Sequence, residues 1–143
     1  MKNNNKIKKE ISNKNSIKII ICLIISGLII RFYFVPFNIP INLDGIDYFA
    51  YSVAMSREGV FPSGYLQSNI GWPSFLSIVF SFFKESEMIE LMNIQRTVTI
   101  VISVLTAIPI YLLVKTFFKK EIALLGATLF LFDPRIIQNS ILG

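Results

Sequence analysis

From Ile19 to Ile30 the chain carries no charged side chain, and the apolar run extends to about Ile17–Phe37 once Arg31 is passed over. About 20 apolar residues cross the hydrocarbon core of a bilayer. The stretch therefore predicts a membrane-spanning helix, ended by Pro36 and Pro40. Thr97–Val114 is a second uncharged run, bounded by Arg96 and Lys115, with Pro109 placed to kink it. A third apolar segment, Ile122–Phe132, is interrupted by Asp133-Pro134-Arg135 and resumes at Ile136 and Ile137. Between the first two runs no segment is long enough to span. Its most apolar part, 71–83, suits a re-entrant or interfacial helix. Asp47–Glu58 has helical character, with Phe49, Val53 and Ala54 near one face and Gly59 as a stop. The pattern predicts an all-α membrane protein. Its spans fall at about 17–37, 97–118 and 119–140, within a membrane domain 17–143 behind a tail 1–16.

Composition sharpens this picture. The chain has 143 residues, is 53% hydrophobic and has a mean hydropathy of +0.61, which an ordinary soluble domain of this size rarely carries in such long runs. The net charge is +5, unevenly spread. Lys2, Lys6, Lys8, Lys9, Lys14 and Lys18 face a single acid, Glu10, in the first 18 residues. This Asn- and Ser-rich tail has no apolar periodicity and reads as disordered. A hydrophobic run follows it directly, so it reads as a cytoplasmic anchor and not as a nucleic-acid arm. A signal peptide shares that start, but Arg31-Phe32-Tyr33-Phe34 stands where small cleavage-site residues belong.

The basic turn at 115–121 is the second cytoplasmic mark. Segment 97–118 then runs inward, and 38–96 forms an extracytoplasmic loop carrying juxtamembrane helices. The alternative has 71–83 crossing and the basic turn outside. The expected location is the cell membrane, multi-pass, in contact with membrane lipids. The chain stops at Ile141-Leu142-Gly143 with no polar tail, which predicts the N-terminal part of a longer polytopic protein.

The chemistry available is narrow. There is no His and a single cysteine, Cys22. Histidine-based catalysis, histidine metal sites and an intrachain disulfide are absent, so acid–base work falls to Asp, Glu, Tyr or Lys. Leu43-Asp44-Gly45-Ile46-Asp47-Tyr48 places two carboxylates and a phenol just past the first span. Asp44 reads either as an N-cap, with Asp47 three residues on, or as a rigidly held reactive carboxylate. Arg31 either snorkels to the outer interface or faces a polar cavity and approaches a phosphate. Asn69 and Trp72, in a Gly-, Pro- and aromatic-rich stretch that includes Tyr65, fit an aromatic belt or line a sugar pocket. Asp133 and Arg135 sit at a break whose freed backbone groups must face protein or a watery cavity.

These residues resemble the N-terminal part of the GT-C membrane glycosyltransferases. The likeness is to the protein O-mannosyltransferases, aminoarabinose transferases and related enzymes, and to archaeal members most. It rests on Arg31 late in the first span, Asp44 with Tyr48 at the start of the outer loop, Gly71-Trp72-Pro73-Ser74-Phe75-Leu76, Arg96 before the second span, and the basic residues 115–120. The resemblance implies an N-terminal GT-C helical bundle and transfer from a polyprenyl- or dolichyl-phosphate sugar to a protein or lipid acceptor at the extracytoplasmic face. It implies Asp44 as the catalytic base. Arg31, Asp47, Tyr48, Asn69, Trp72 and Arg135 are the substrate-binding candidates. It fixes no cofactor and leaves a divalent metal open. Several members have Asp-Glu where this chain has Asp44-Gly45, and a further acid is commonly found beyond the third span. The other class open at this point is a non-enzymatic small polytopic membrane protein, such as a transporter subunit or assembly factor. More spans and an early acid in the reading frame after residue 143 would favour the enzyme.

Overall fold

A computed structural model describes residues 13–37, 39–41, 44–60, 62–64 and 69–143; the side chains of Asn13 and Asp44 are not among the described features. Seven α-helices and no strand are found among these residues. They are α1 (Asn13–Phe34), α2 (Asp44–Glu58), α3 (Gly71–Phe80), α4 (Met88–Leu105), α5 (Ala107–Phe117), α6 (Lys120–Phe132) and α7 (Pro134–Leu142). A 3-10 turn, Ser81–Phe83, extends α3. The basic tail through Ser12 and Tyr65 lie outside the described residues.

α1 has 22 residues, about 33 Å at ~1.5 Å per residue, enough for a ~30 Å hydrocarbon core. It opens at Asn13, so part of the segment expected to be disordered is helical, and it closes at Phe34 before Pro36. α4 and α5 form one 30-residue apolar unit, Met88–Phe117, about 45 Å long and longer than the core. Arg96 therefore lies within this helix and does not open it. An N-terminal capping box explains the early start: Glu87 N–H donates to the Glu90 carboxylate at 3.2 Å, and the Glu87 side chain accepts from the Glu90 backbone. The helix is interrupted at Thr106, a turn before the expected kink at Pro109. The reason is local. Proline cannot donate to the carbonyl four residues earlier, that of Leu105, and its ring crowds that carbonyl. At the interruption Thr106 Oγ1 and its own backbone N–H both donate to Ile102 O, at 2.8 and 3.0 Å.

α5 and α6 are antiparallel, joined by only Phe118 and Lys119. With α1 and α4 they enclose a core of Ile20, Val104, Ala107, Tyr111, Ala123, Leu124, Ala127 and Leu131. Small residues let the backbones approach, as expected where lipid removes the hydrophobic drive between helices. A Cβ placed on Gly27 would stand 3.3 Å from Leu131 Cδ2, and one on Gly126 would stand 3.5 Å from Val114 Cγ2. The outer faces are apolar too, with Ile21, Ile25, Ile29, Leu112, Leu113, Leu125 and Leu129 exposed. Lipid tolerates such a surface and water does not.

The third apolar segment is two helices. Pro134 begins α7, and Asp133 caps it: one carboxylate oxygen accepts from Arg135 N at 2.8 Å and from Ile136 N at 3.2 Å. α2 and α3 pack on each other as a separate lobe. Phe49, Val53, Leu76 and Phe80 meet Leu91 of α4, with Trp72, Met92, Ile94 and Val98 around them. α2 ends where expected: Gly59 takes φ +73 and its N–H reaches Met55 O at 3.0 Å. α3 is about 15 Å long, too short to cross.

Candidate functional site

The first turn of α2 is the natural place to begin, because Asp44, Asp47 and Tyr48 all belong to the start of this helix. Two acids at a helix N-terminus are favoured by the helix dipole and the free backbone N–H groups there. Asp47 is exposed and Tyr48 half-buried, its carbonyl accepting from Ser52 Oγ. Asp44 is the first residue of the helix.

The backbone around Asp44 is held from several sides. Gln95 Nε2 donates to Gly45 O at 3.2 Å, and Arg96 Nη2 donates to Ile39 O at 2.5 Å. Gly45 leaves no room for a side chain: a Cβ would lie 2.7 Å from Ile41 Cγ2 and 2.8 Å from Gly143 O. A glutamate at position 45 would collide with the strap before α2 and with the end of α7.

Arg31 occupies the opposite flank of α7. It does not snorkel. It is 0% exposed, and its guanidinium serves the break between α6 and α7. Nη1 donates to Leu131 O at 3.1 Å and to Gly27 O at 3.2 Å, and Nε donates to Ser140 Oγ at 3.0 Å. The helical partner of Leu131 O would be the N–H of Arg135, but that N–H is taken by Asp133. Arg31 therefore supplies the donor that the break removes, with positive charge at a helix C-terminus, where the dipole favours it. The freed backbone groups of the Asp-Pro break do face protein. Arg31 offers no exposed surface in this arrangement.

The remaining candidates are dispersed. Trp72 is half-buried, stacked on Phe75 at 5.7 Å between ring centroids, and packs against the α2–α3 core. Asn69 is exposed just before α3. Arg135 is exposed in the first turn of α7. Among the described residues no group of three His, Cys, Asp or Glu side chains assembles to hold a metal ion. Two concavities flank the region. One, about 460 Å³, runs between α2 and α4 and is lined by Phe49, Val53, Arg57, Glu58, Met88 and Met92, among others. The other, about 230 Å³, lies between α4 and α7 and is lined by Thr99, Ser103, Ile136, Asn139 and Ser140. Gln95, Arg96 and Ser140 are the residues that sequence reasoning does not single out as functional. An Arg preceded by Gln inside an apolar helix is the signal available for the first two.

The family model for the N-terminal region of oligosaccharyl transferase STT3 matches residues 60–143, more than half of the chain. The chain belongs to the STT3 family. The membrane-embedded, all-helical fold is what this family's N-terminal region is, and the family consists of GT-C glycosyltransferases that use a lipid-linked donor. The match takes in α3 to α7; α1 with Arg31 and α2 with Asp44 precede it. No curated protein and no solved structure matches the chain.

Proposed function

We propose that this STT3-family chain builds the part of an oligosaccharyl transferase that presents a catalytic carboxylate, Asp44, at the extracytoplasmic membrane face. The donor is a polyprenyl- or dolichyl-linked sugar and the acceptor a protein. Within the GT-C class the STT3 match favours this over single-sugar transfer by an O-mannosyl- or aminoarabinosyltransferase. In the reaction the acceptor atom bonds to the sugar's anomeric carbon as the bond from that carbon to the lipid phosphate breaks. The acceptor proton passes to the carboxylate and the electron pair leaves with the phosphate. Asp47 and Tyr48 share the turn and bind substrate beside it. Arg31 is assigned to holding the α6–α7 break and not to the donor phosphate. The N-terminus is cytoplasmic, with α2 and α3 on the far side.

The observation that carries this reading is the pair of hydrogen bonds from buried side chains of α4 to Ile39 O and Gly45 O, because a reactive carboxylate has to be held in place to act. The test uses the full reading frame in membranes, with a polyprenyl-linked donor and an acceptor peptide. Asp44→Asn should lose roughly 10²–10⁴-fold in transfer rate while accumulating normally, whereas Asp47→Asn should retain most of it. Near-normal transfer by Asp44→Asn would move the search for the base elsewhere, with Asp47 first.

A further inference from the structure

Gln95 and Arg96 are neighbours on α4, and both are enclosed, at 0% and 1% exposure. Burying a carboxamide and a guanidinium is costly unless the groups are bonded. Each donates to a backbone carbonyl outside its own helix, and the two acceptors bracket Asp44. Ile39 O lies on the strap before it, and Gly45 O belongs to the residue after it. Arg96 is itself steadied by Asn93 Oδ1, which accepts from Nη1 at 3.2 Å. On the other side Ile41, 1% exposed, and the Gly143 backbone close against Gly45. The apolar contacts between the α2–α3 lobe and α4 are non-directional and do not fix a rotation or a depth. The two side-chain bonds do.

We infer that Gln95 and Arg96 are positioning residues for Asp44. They do not touch the reacting atoms. They set where the first turn of α2 stands relative to α4. The inference rests on the reading of Asp44 as the catalytic carboxylate. Arg96 suits the task because its planar fork reaches Ile39 O and Asn93 at once, which a lysine ammonium does not reproduce.

A double-mutant cycle tests this, with the full reading frame in membranes and the same donor and peptide. Arg96→Lys and Gln95→Met are each made with Asp44 present and with Asp44→Asn, and membrane accumulation is measured for all. Displacing a reacting group by about 1 Å can cost on the order of 10²-fold. With Asp44 present, each variant should lower kcat by about 10- to 100-fold, with the KM for donor changed by less than about threefold. In the Asp44→Asn background the same changes should cost little more, because no base remains to be misplaced. Equal fold-losses in both backgrounds, or an unchanged kcat, would overturn the positioning role. Full activity of Asp44→Asn alone would instead overturn the underlying reading of the site. Should Arg96→Lys fail to accumulate, Gln95→Met decides the matter. It removes a carboxamide whose Oε1 is buried with no partner, and an apolar chain of similar length is tolerated there.

Discussion

The four-helix membrane core and the α2–α3 lobe are both helical and both apolar inside, yet they are held together differently. The bundle core is built from Ala107, Ala123 and Ala127, with Gly27 and Gly126 at close approaches, and it exposes isoleucine and leucine outward. The lobe is built from Phe49, Phe80, Leu76 and Trp72. The difference lies in side-chain size. Between helices in lipid there is no hydrophobic gain, so small residues and a few polar bonds do the joining. In the lobe, large side chains bury most of the shared area. The polar residues divide in the same way. Arg31 repairs a break inside the bundle, and Gln95 with Arg96 ties the lobe's first turn to it.

The contrast can be broken most severely in the lobe. Phe80 is 1% exposed and meets Phe49 edge-on at 5.7 Å. Phe80→Ala should destabilise the lobe by about 3–5 kcal/mol, the usual cost of truncating a buried aromatic. Trp72, the single tryptophan, sits in that core and reports on it. In detergent, its fluorescence transition should shift to lower denaturant while the helical far-ultraviolet signal keeps a later, nearly unchanged phase. A single shifted transition for both signals would mean that lobe and bundle unfold as one unit.

A smaller effect sharpens the bundle side. Arg31→Met removes the donor to Leu131 O and leaves a buried carbonyl unpaired, a loss of about 1–3 kcal/mol. Here the helical signal should move and the Trp72 transition should stay. A larger shift of Trp72 than of helicity would show that Arg31 acts on the lobe.

How far the sequence reveals this architecture varies by element. α1 and α5 are legible because a long uncharged apolar run satisfies its backbone in lipid only by coiling into a helix. The α6–α7 break is legible because Asp-Pro both caps and interrupts. The start of α4 is not, since Met88–Arg96 mixes polar and apolar residues and the uncharged window opens only at Thr97; the Glu87/Glu90 capping box is the cue that marks it. Arg31 is recognisable as unusual from its position, but its partner Ser140 lies 109 residues away and nothing local names it. Gly45 reads in sequence as a lost acid, and only the structure shows the strap and the α7 end that leave it no space. The catalytic candidate is visible from its place after the first span, whereas the donors that fix it belong to a helix contacted only after folding.

The division of the molecule stands or falls on which side of the membrane the lobe occupies. Cys22 is replaced by Ser, and a single cysteine is placed either at Glu87, at the foot of α4 beside the lobe, or at Lys119, in the basic connection between α5 and α6. Each is then labelled in sealed cells and in inverted vesicles with a membrane-impermeant maleimide. Glu87→Cys should react only from the outside and Lys119→Cys only from the cytoplasm, as the lysines at 115–120 require. Reaction of Glu87→Cys from the cytoplasm would contradict an extracytoplasmic lobe and with it the placement of Asp44 at the site of sugar transfer, whereas reaction of both from the outside would contradict a single crossing by α4 and α5.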